Sequence, residues 1–455
     1  MSAEREPEKD VLAVKPAYWT EVNGEKVWSD DVNDLFAKTG KPRKLRRELL
    51  PEYFAQGWIC APDTIWEGVY KRPLEIKNLE PGGDMDPSLL IHSSVERSLS
   101  GKVCNWFSGG IDSSLLTAYA VEKAPVDMIH FHMTLGDGES DRVARMEQKF
   151  GFKAERMVPT SELCKLYPEL CRKMGEPIAD PGIIAAYWLG CESKKRGCVA
   201  VLSGMGGDEL DAGYPRNRII VKLFNSPVVR LLGIWPLKLA GLSMCGGAFV
   251  FGGKRKRDML RLGRFLKSPD VENYYNLFGY FSHDEISVLT GDSNWQEAYG
   301  KKIKELTRDV QGVRKFFAYE FQGFLASHNN VYGYHACKAA GVECRTPLLT
   351  PEIARACWRD IDALENAGKK RLTKLLAEIL GDDFISVRKS GFRFPVEEHV
   401  SQMTMDDFSS LRDSGLICEK GWNLVRKWIE IARSGDVDEV YMKLWAIWTL
   451  SSIVV

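Results

Sequence analysis

Apolar positions change their spacing along this chain, and each change predicts a different kind of element. Over 27–50 (VWSDDVNDLFAKTGKPRKLRRELL) they recur at helical intervals behind Ser29 or Asp30, either of which is a good helix N-cap. Residues 56–77 read as short strands, closed by the turn signal at 81–83, Pro-Gly-Gly. From Leu89 onward, helical periodicity alternates with near-continuous apolar runs. The predicted order is helix 87–99, strand 103–107, helix 114–123, strand 126–133, helix 139–150, strand 153–158, helices 161–174 and 182–195, and strand 199–202. Strands apolar on both faces, separated by helices, predict an α/β fold with a doubly wound parallel sheet covered on both sides. Beyond Tyr214 the pattern is helical almost to the end, so an extended helical C-terminal half is expected. No internal repeat interrupts it. The division expected is a short N-terminal segment, 1–86, too small for an independent catalytic unit, and one main domain, 87–455.

Three further stretches modify that outline. The most apolar one, 228–253, is broken by Arg230, Pro236 and Lys238, which leaves too few charge-free residues for a membrane span. It reads as a buried helix pair with a loop at 244–247, or as a membrane-surface segment. Lys254, Arg255, Lys256 and Arg257, followed by Arg261 and Arg264, form a basic helix start, read either as a solvated face or as a patch for an acidic partner or nucleic acid. Trp422, Trp428, Trp445 and Trp448 fall at helical spacings and are expected in the core.

Charge and composition narrow the function classes. With 62 Lys+Arg against 62 Asp+Glu the 455 residues are formally neutral, which removes the bulk-charge argument for a nucleic-acid partner. The 11 cysteines include no CxxC pair. Cys164/Cys171 and Cys191/Cys198 share a seven-residue spacing that suits buried thiols on a helix face better than a metal site. The polar N-terminus lacks a signal-peptide core, so a reduced, cytoplasmic protein is expected.

Two glycine-rich segments carry the chemistry. SGGIDSS, at 108–114, ends the first core strand and opens a helix, the place where open α/β sheets bind ligands. Gly109 and Gly110 let backbone N–H groups approach an anion, Ser108, Ser113 and Ser114 add hydroxyls, and the helix N-terminus adds its positive end. Asp112 conflicts with an anion unless a cation bridges the two, which points to Mg²⁺. The loop has neither the Lys nor the spacing of GxxxxGK[ST]. A second strand runs into SGMGGDELDAGY, at 203–214, where Gly204, Gly206 and Gly207 free the backbone ahead of Asp208 and Glu209. Asp112 and Asp208 would give a hard cation its oxygen ligands; the plainer reading of Asp208 and Glu209 is as acids of a helix first turn.

The first loop resembles the PP-loop of ATP pyrophosphatases, and the two together resemble the asparagine synthetase-type synthetase domain. The likeness continues through GVECRTPLL (341–349), Lys370 and SVRKSGF (386–392). It implies an adenine nucleotide α-hydrolase-like fold and an ATP-dependent, AMP-forming amide ligase. Such a ligase adenylates a small carboxylate, aspartate-like or other, and passes it to ammonia or an amine. By the same resemblance Ser108, Gly109, Gly110, Asp112 and Ser113 hold pyrophosphate, Asp112 and Asp208 bind Mg²⁺, and Lys389 reaches the phosphates. Residues 103–107 and 131–135 are candidates for the adenine pocket. Arg345 reads equally as a structural ion-pair arginine or a substrate contact.

Two departures from the family pattern bear on function. Glutamine-hydrolysing members begin with a nucleophilic Cys and a glutaminase domain, whereas here residue 2 is Ser and fewer than a hundred residues precede the synthetase region. Free ammonia, an amine or a separate glutaminase subunit is therefore the expected nitrogen source. Met205 stands where asparagine-forming members have Glu and β-lactam-forming members have Tyr, and Met does no proton chemistry. Glu209, Asp211 or Tyr214 would have to take that role, or the nucleophile needs no base. The rival readings are a tRNA-modifying PP-loop enzyme and a non-catalytic nucleotide-binding homologue that acts with a partner subunit.

Overall fold

The computed structural model describes residues 6–8, 10–79, 85–123, 128–134, 137–251, 253–363, 367–382 and 394–454. A small antiparallel sheet opens the chain: β1 (Tyr18–Val22), β2 (Glu25–Ser29) and, across a connection, β3 (Val69–Lys71), in the order β2-β1-β3. Asn23 (φ 52°) and Gly24 (φ 83°) form the tight turn between β1 and β2, the left-handed pair that a two-residue hairpin requires. This corrects the helical reading that began at Val27. The hairpin takes residues up to Ser29, and helix α1 (Val32–Thr39) starts later, capped by Asp31, whose carboxylate accepts from the Asn33 backbone N–H at 2.9 Å. Helix α2 (Leu50–Gln56) follows, and of the strands expected over 56–77 only β3 forms.

The N-terminal segment shares a core with the helical half. The buried Lys71 and Glu176 pair at 2.7 Å, the Tyr18 hydroxyl donates to Glu176 at 2.6 Å, and that of Tyr53 donates to the Ala446 carbonyl at 2.7 Å.

The main sheet alternates as expected: α3 (Pro87–Arg97), β4 (Val103–Trp106), α4 (Ile111–Lys123), β5 (Ile129–Met133), α5 (Asp137–Phe150), β6 (Ala154–Met157), α6 (Tyr167–Met174), α7 (Gly182–Lys195) and β7 (Ala200–Leu202). All strand pairs are parallel, in the order β6-β5-β4-β7-β8. The edge strand β8 (Glu343–Arg345) interrupts the helical half and was not foreseen, because Glu-Cys-Arg lacks the apolar run that marks the equally short β7. The helical half begins with α8 (Gly207–Leu210), α9 (Pro215–Phe224), α10 (Pro227–Leu232), α11 (Trp235–Gly247) and α12 (Gly253–Lys267), and ends with the helix Val437–Ile453. Trp422, Trp428, Trp445 and Trp448 are buried, as their spacing predicts.

The stretch 228–253 departs from the buried-pair reading. α10 buries no residue, α11 buries only Leu237 and Gly241, and 244–247 continues the helix instead of forming a loop. No helix among the described residues is long and apolar enough to cross a membrane. The cysteines also differ from the expectation of free thiols throughout. Parallel pairing of β4 with β7 brings Cys104 beside Cys198, and the two form a disulfide with Cα atoms 6.1 Å apart. Cys198 lies beyond the end of α7, so it does not share a helix face with Cys191.

Candidate active site

β4 and β7 are neighbours whose chains leave the sheet in opposite directions, β4 toward β5 and β6, β7 toward β8. That arrangement opens a crevice at their carboxyl ends. SGGIDSS fills one side of it. α4 begins at Ile111, three residues earlier than expected, so Gly109 and Gly110 abut the helix N-terminus directly. Gly109 has φ 82°. The exposed Ser108 hydroxyl accepts from the Gly110 N–H at 3.1 Å and shares a 2.9 Å hydrogen bond with the Ser113 hydroxyl. Ser114 is fully buried behind them. From α5 the buried Arg142 donates to the Gly109 carbonyl at 2.6 Å, which fixes the turn from beneath.

The second loop comes close enough to touch the first, and its glycines are the reason. A Cβ at Gly204 would lie 3.0 Å from the Ser113 backbone nitrogen, and one at Gly207 would overlap the Asp112 carboxylate. Asp112 and Asp208 thereby both meet the Lys369 ammonium, which contacts Asp112 Oδ2 and lies 2.8 Å from Asp208 Oδ1. Lys369 is buried. Burial opposes its charge, but Asp112 and Asp208 outweigh that and hold its pKa well above the ordinary lysine value.

Lys369 is positioned by the backbone around it. It precedes the helix Lys370–Leu380 in the left-handed region, φ 66°, and its N–H donates to the Asp211 carbonyl at 2.9 Å. The Asp211 carboxylate accepts from the Leu372 N–H at 2.9 Å, capping the same helix, and burial raises its pKa to about 7. A Cβ at Gly213 would overlap both Asp208 and the Lys369 stem. Lys370, the residue singled out in the sequence, is exposed. Periodicity cannot tell which of two adjacent lysines turns inward; the positive φ at Lys369 does.

The other predicted residues separate. Glu209 is buried and turns away from Lys369 toward the helical half. Its carboxylate accepts from the Tyr214 hydroxyl and from Asn329 Nδ2, both at 2.7 Å. Asn329 bonds His328 at 2.7 Å, and His328 lies 3.3 Å from Asp180. Burial, then the neighbouring Asp208 charge, push Glu209 up to about 7. Arg345 is a structural arginine, bonded to Glu343 at 2.8 Å and to the Ser98 and Ser100 carbonyls at 3.0 and 2.6 Å. His130 meets Asn105 Nδ2 at 3.0 Å and stacks on Phe152, while His132 bonds the Phe107 carbonyl at 3.0 Å; both lie on β5. Lys389, with the rest of 386–392, and Leu135 lie outside the described residues. Met205 lines a cavity of about 530 Å³ together with Val14, Lys15, Tyr334, Lys338 and Val342.

Among the described residues no three His, Cys, Asp or Glu cluster as a metal site. Two carboxylates alone suit Mg²⁺, which takes one or two protein oxygens and completes its shell with phosphate oxygens and water. Arg142, Lys369 and the His328–Asn329 pair were not singled out by the sequence reading, since each reaches the site from a distant element.

The profile of the family described as asparagine synthase matches residues 89–416, which include both loops. The chain is 26% identical over 423 residues to asparagine synthetase [glutamine-hydrolyzing] 1 of Bacillus subtilis, a match covering 85% of this chain and 65% of that protein. It is 33% identical over 242 residues to a putative asparagine synthetase [glutamine-hydrolyzing] of Mycobacterium tuberculosis, covering 45% of this chain and 37% of that one. The chain therefore spans less than two thirds of the length of these relatives.

Proposed function

The chain belongs to the asparagine synthase family, and on that premise we propose that it is an ATP-dependent amide ligase forming AMP and pyrophosphate. A small carboxylate attacks the α-phosphorus of ATP and displaces pyrophosphate. Ammonia or an amine, free or delivered by a separate glutaminase subunit, then attacks the activated carbonyl and displaces AMP. The observation that carries this reading is the convergence of Asp112 and Asp208 on Lys369 beside a Gly/Ser loop at a helix N-terminus.

In this reading Ser108, Gly109, Gly110 and Ser113 cradle the β- and γ-phosphates through N–H and hydroxyl groups. Gly204 keeps the second loop against the first and adds no side chain of its own. Mg²⁺, held by Asp112, Asp208 and phosphate oxygens, would neutralise charge on the departing pyrophosphate. Lys369 balances the two carboxylates when no nucleotide is present and supplies positive charge beside the leaving group. Lys389 is assigned to the same phosphates. The cavity at Met205 receives the acceptor, with Val14 and Val342 giving it apolar walls and charges of both signs around it, Lys15 and Lys338, each paired with Asp30, and Asp10 and Glu343. Glu209, held by Tyr214 and Asn329, is assigned the proton chemistry that Met205 does not do. The site is expected to work in the cytoplasm, where ATP is supplied.

Exchange of labelled pyrophosphate into ATP, screened over a panel of small carboxylates, tests the first half-reaction. Exchange that depends on one class of acid is expected. Amide formation is then followed with ammonia, amines and glutamine in parallel. A folded protein that binds ATP but supports exchange with no acid in the panel would overturn the assignment.

A further inference from the structure

The chain is neutral as a whole, but its charge is not evenly spread. Residues 222–267 contain ten Lys and Arg and one acid, Asp258, a local charge of +9 in a protein whose total is zero. The same residues build α10, α11 and α12. α11 and α12 lie with their backbones in contact: a Cβ at Gly241 would come 2.7 Å from the Gly263 carbonyl, and one at Gly263 would come 2.8 Å from Cys245 Sγ. α12 faces the protein body, with Phe265 and Leu266 buried and Arg257 donating to the Asp438 carbonyl at 2.7 Å.

α10 and α11 are left outside. Leu231 is 83% exposed, Trp235 71%, Leu239 65% and Val250 84%, and Leu242 and Phe251 are exposed as well. Contiguous apolar surface of this kind marks an interaction site. Arg230 and Arg255 are exposed in the same hairpin, and Lys238 lies 5.6 Å from the Trp235 ring.

We propose that this helical hairpin is a docking surface for an anionic lipid bilayer, lying in the interface without crossing it. α11 has 13 residues, about 20 Å of helix, against about 30 Å of hydrocarbon core. Leucine, valine, phenylalanine and tryptophan side chains enter the boundary between headgroups and acyl chains, and the surrounding Lys and Arg meet the anionic headgroups. The charge decides among occupants. A second copy would set exposed basic residues, Arg230 and Arg255 among them, against the same residues. An acidic protein would match the charge, but it would also need an apolar groove shaped to these side chains, whereas an anionic leaflet supplies both terms over any area.

The test is flotation of the full chain with vesicles of phosphatidylcholine alone or mixed with phosphatidylserine. Binding roughly tenfold stronger to the anionic vesicles, weakened by high salt, is expected. The pair Leu231→Asp and Leu239→Asp should abolish it, and Arg230→Glu with Arg255→Glu should weaken it roughly tenfold, each with an unchanged circular-dichroism melt. Equal binding to both vesicle types, binding indifferent to both variant pairs, or no binding at all would overturn the proposal. So would sedimentation showing a dimer that the aspartate pair dissociates, or a captured acidic protein in the absence of vesicle binding.

Discussion

Lys369 combines two unfavourable conditions in one residue. Its backbone lies in the left-handed region at φ 66°, a conformation that costs a non-glycine residue on the order of 1–3 kcal/mol. Its ammonium is withdrawn from water, which Asp112 and Asp208 offset. Strain of this kind persists where the surroundings over-determine it, and here Asp211, Ala212 and Gly213 do so by holding the backbone of 368–369 and leaving room for the stem. Replacing the residue by methionine keeps most of the volume and removes the positive charge between the half-buried Asp112 and Asp208 carboxylates. We expect Lys369→Met to lower pyrophosphate exchange by roughly a hundredfold or more and to cost about 3 kcal/mol of stability, read from urea midpoints. Lys369→Arg should not rescue it, because the stem already fills the space that glycine leaves at 213. Lys370→Met, one residue away and exposed, should change neither readout. The opposite ranking of the two methionine variants would show that the site is wrongly placed.

At the scale of elements, the local signals were the ones that reading the chain could find. Apolar runs gave β4, β5 and β7, and each glycine-rich loop lies within a few residues of its strand, so both loops and the acids following them were legible. Long-range placement was not. β8 lacks an apolar run, and the reading over 27–50 ran a helix through a hairpin that Asn23 and Gly24 signal. The exposure of α10 and α11 depends on what packs against them, which periodicity does not encode. The same holds for the π-helical segment Glu320–Asn329, an irregularity often found at functional sites. Its first residue, Glu320, is fully buried and accepts two hydrogen bonds from Arg216 at 2.7 Å, one from Tyr274 at 2.6 Å and one from Asn217 at 3.0 Å. Arg216 in turn lies 3.9 Å from the Tyr214 ring, whose hydroxyl holds Glu209. The network thus ties α9 to the segment that presents Asn329 to Glu209. Glu320→Ala would leave a buried guanidinium without its partner and should cost about 3–5 kcal/mol, with Glu320→Gln less damaging. A loss below about 1 kcal/mol in urea denaturation would mean that α9 is held by apolar packing instead.

Across the whole molecule, buried histidines and buried carboxyls shape how stability depends on pH. His130 lies in the parallel sheet, and His335 packs beneath the small sheet against Tyr18. Burial pushes both down to about 4, and it also lowers His132, His328 and His399. In the unfolded chain each returns to about 6.5. Between pH 6.5 and 4 the unfolded chain therefore binds protons at these histidines that the folded one refuses, and the stability they contribute falls as pH falls. It is fully present above about 6.5 and diminishes progressively toward 4, by up to about 3 kcal/mol for each of His130 and His335. Asp30, held low by Tyr334, Lys338 and Lys15 against the effect of its own burial, adds a loss of the same sign at more acid pH. Glu209 and Asp211, raised to about 7, take up protons in the folded chain over the same range and act with the opposite sign. Urea midpoints between pH 7.5 and 4.5 should thus fall less than the histidines alone would give, and the histidine share is read from variants. Substituting either histidine should remove about one proton from the uptake on unfolding, and with it about 1.4 kcal/mol per pH unit of slope. His130→Gln and His335→Gln should do so equally if the two halves unfold as one cooperative unit. A change confined to one variant, with two separated transitions in the wild type, would show instead that the parallel sheet and the N-terminal sheet open independently.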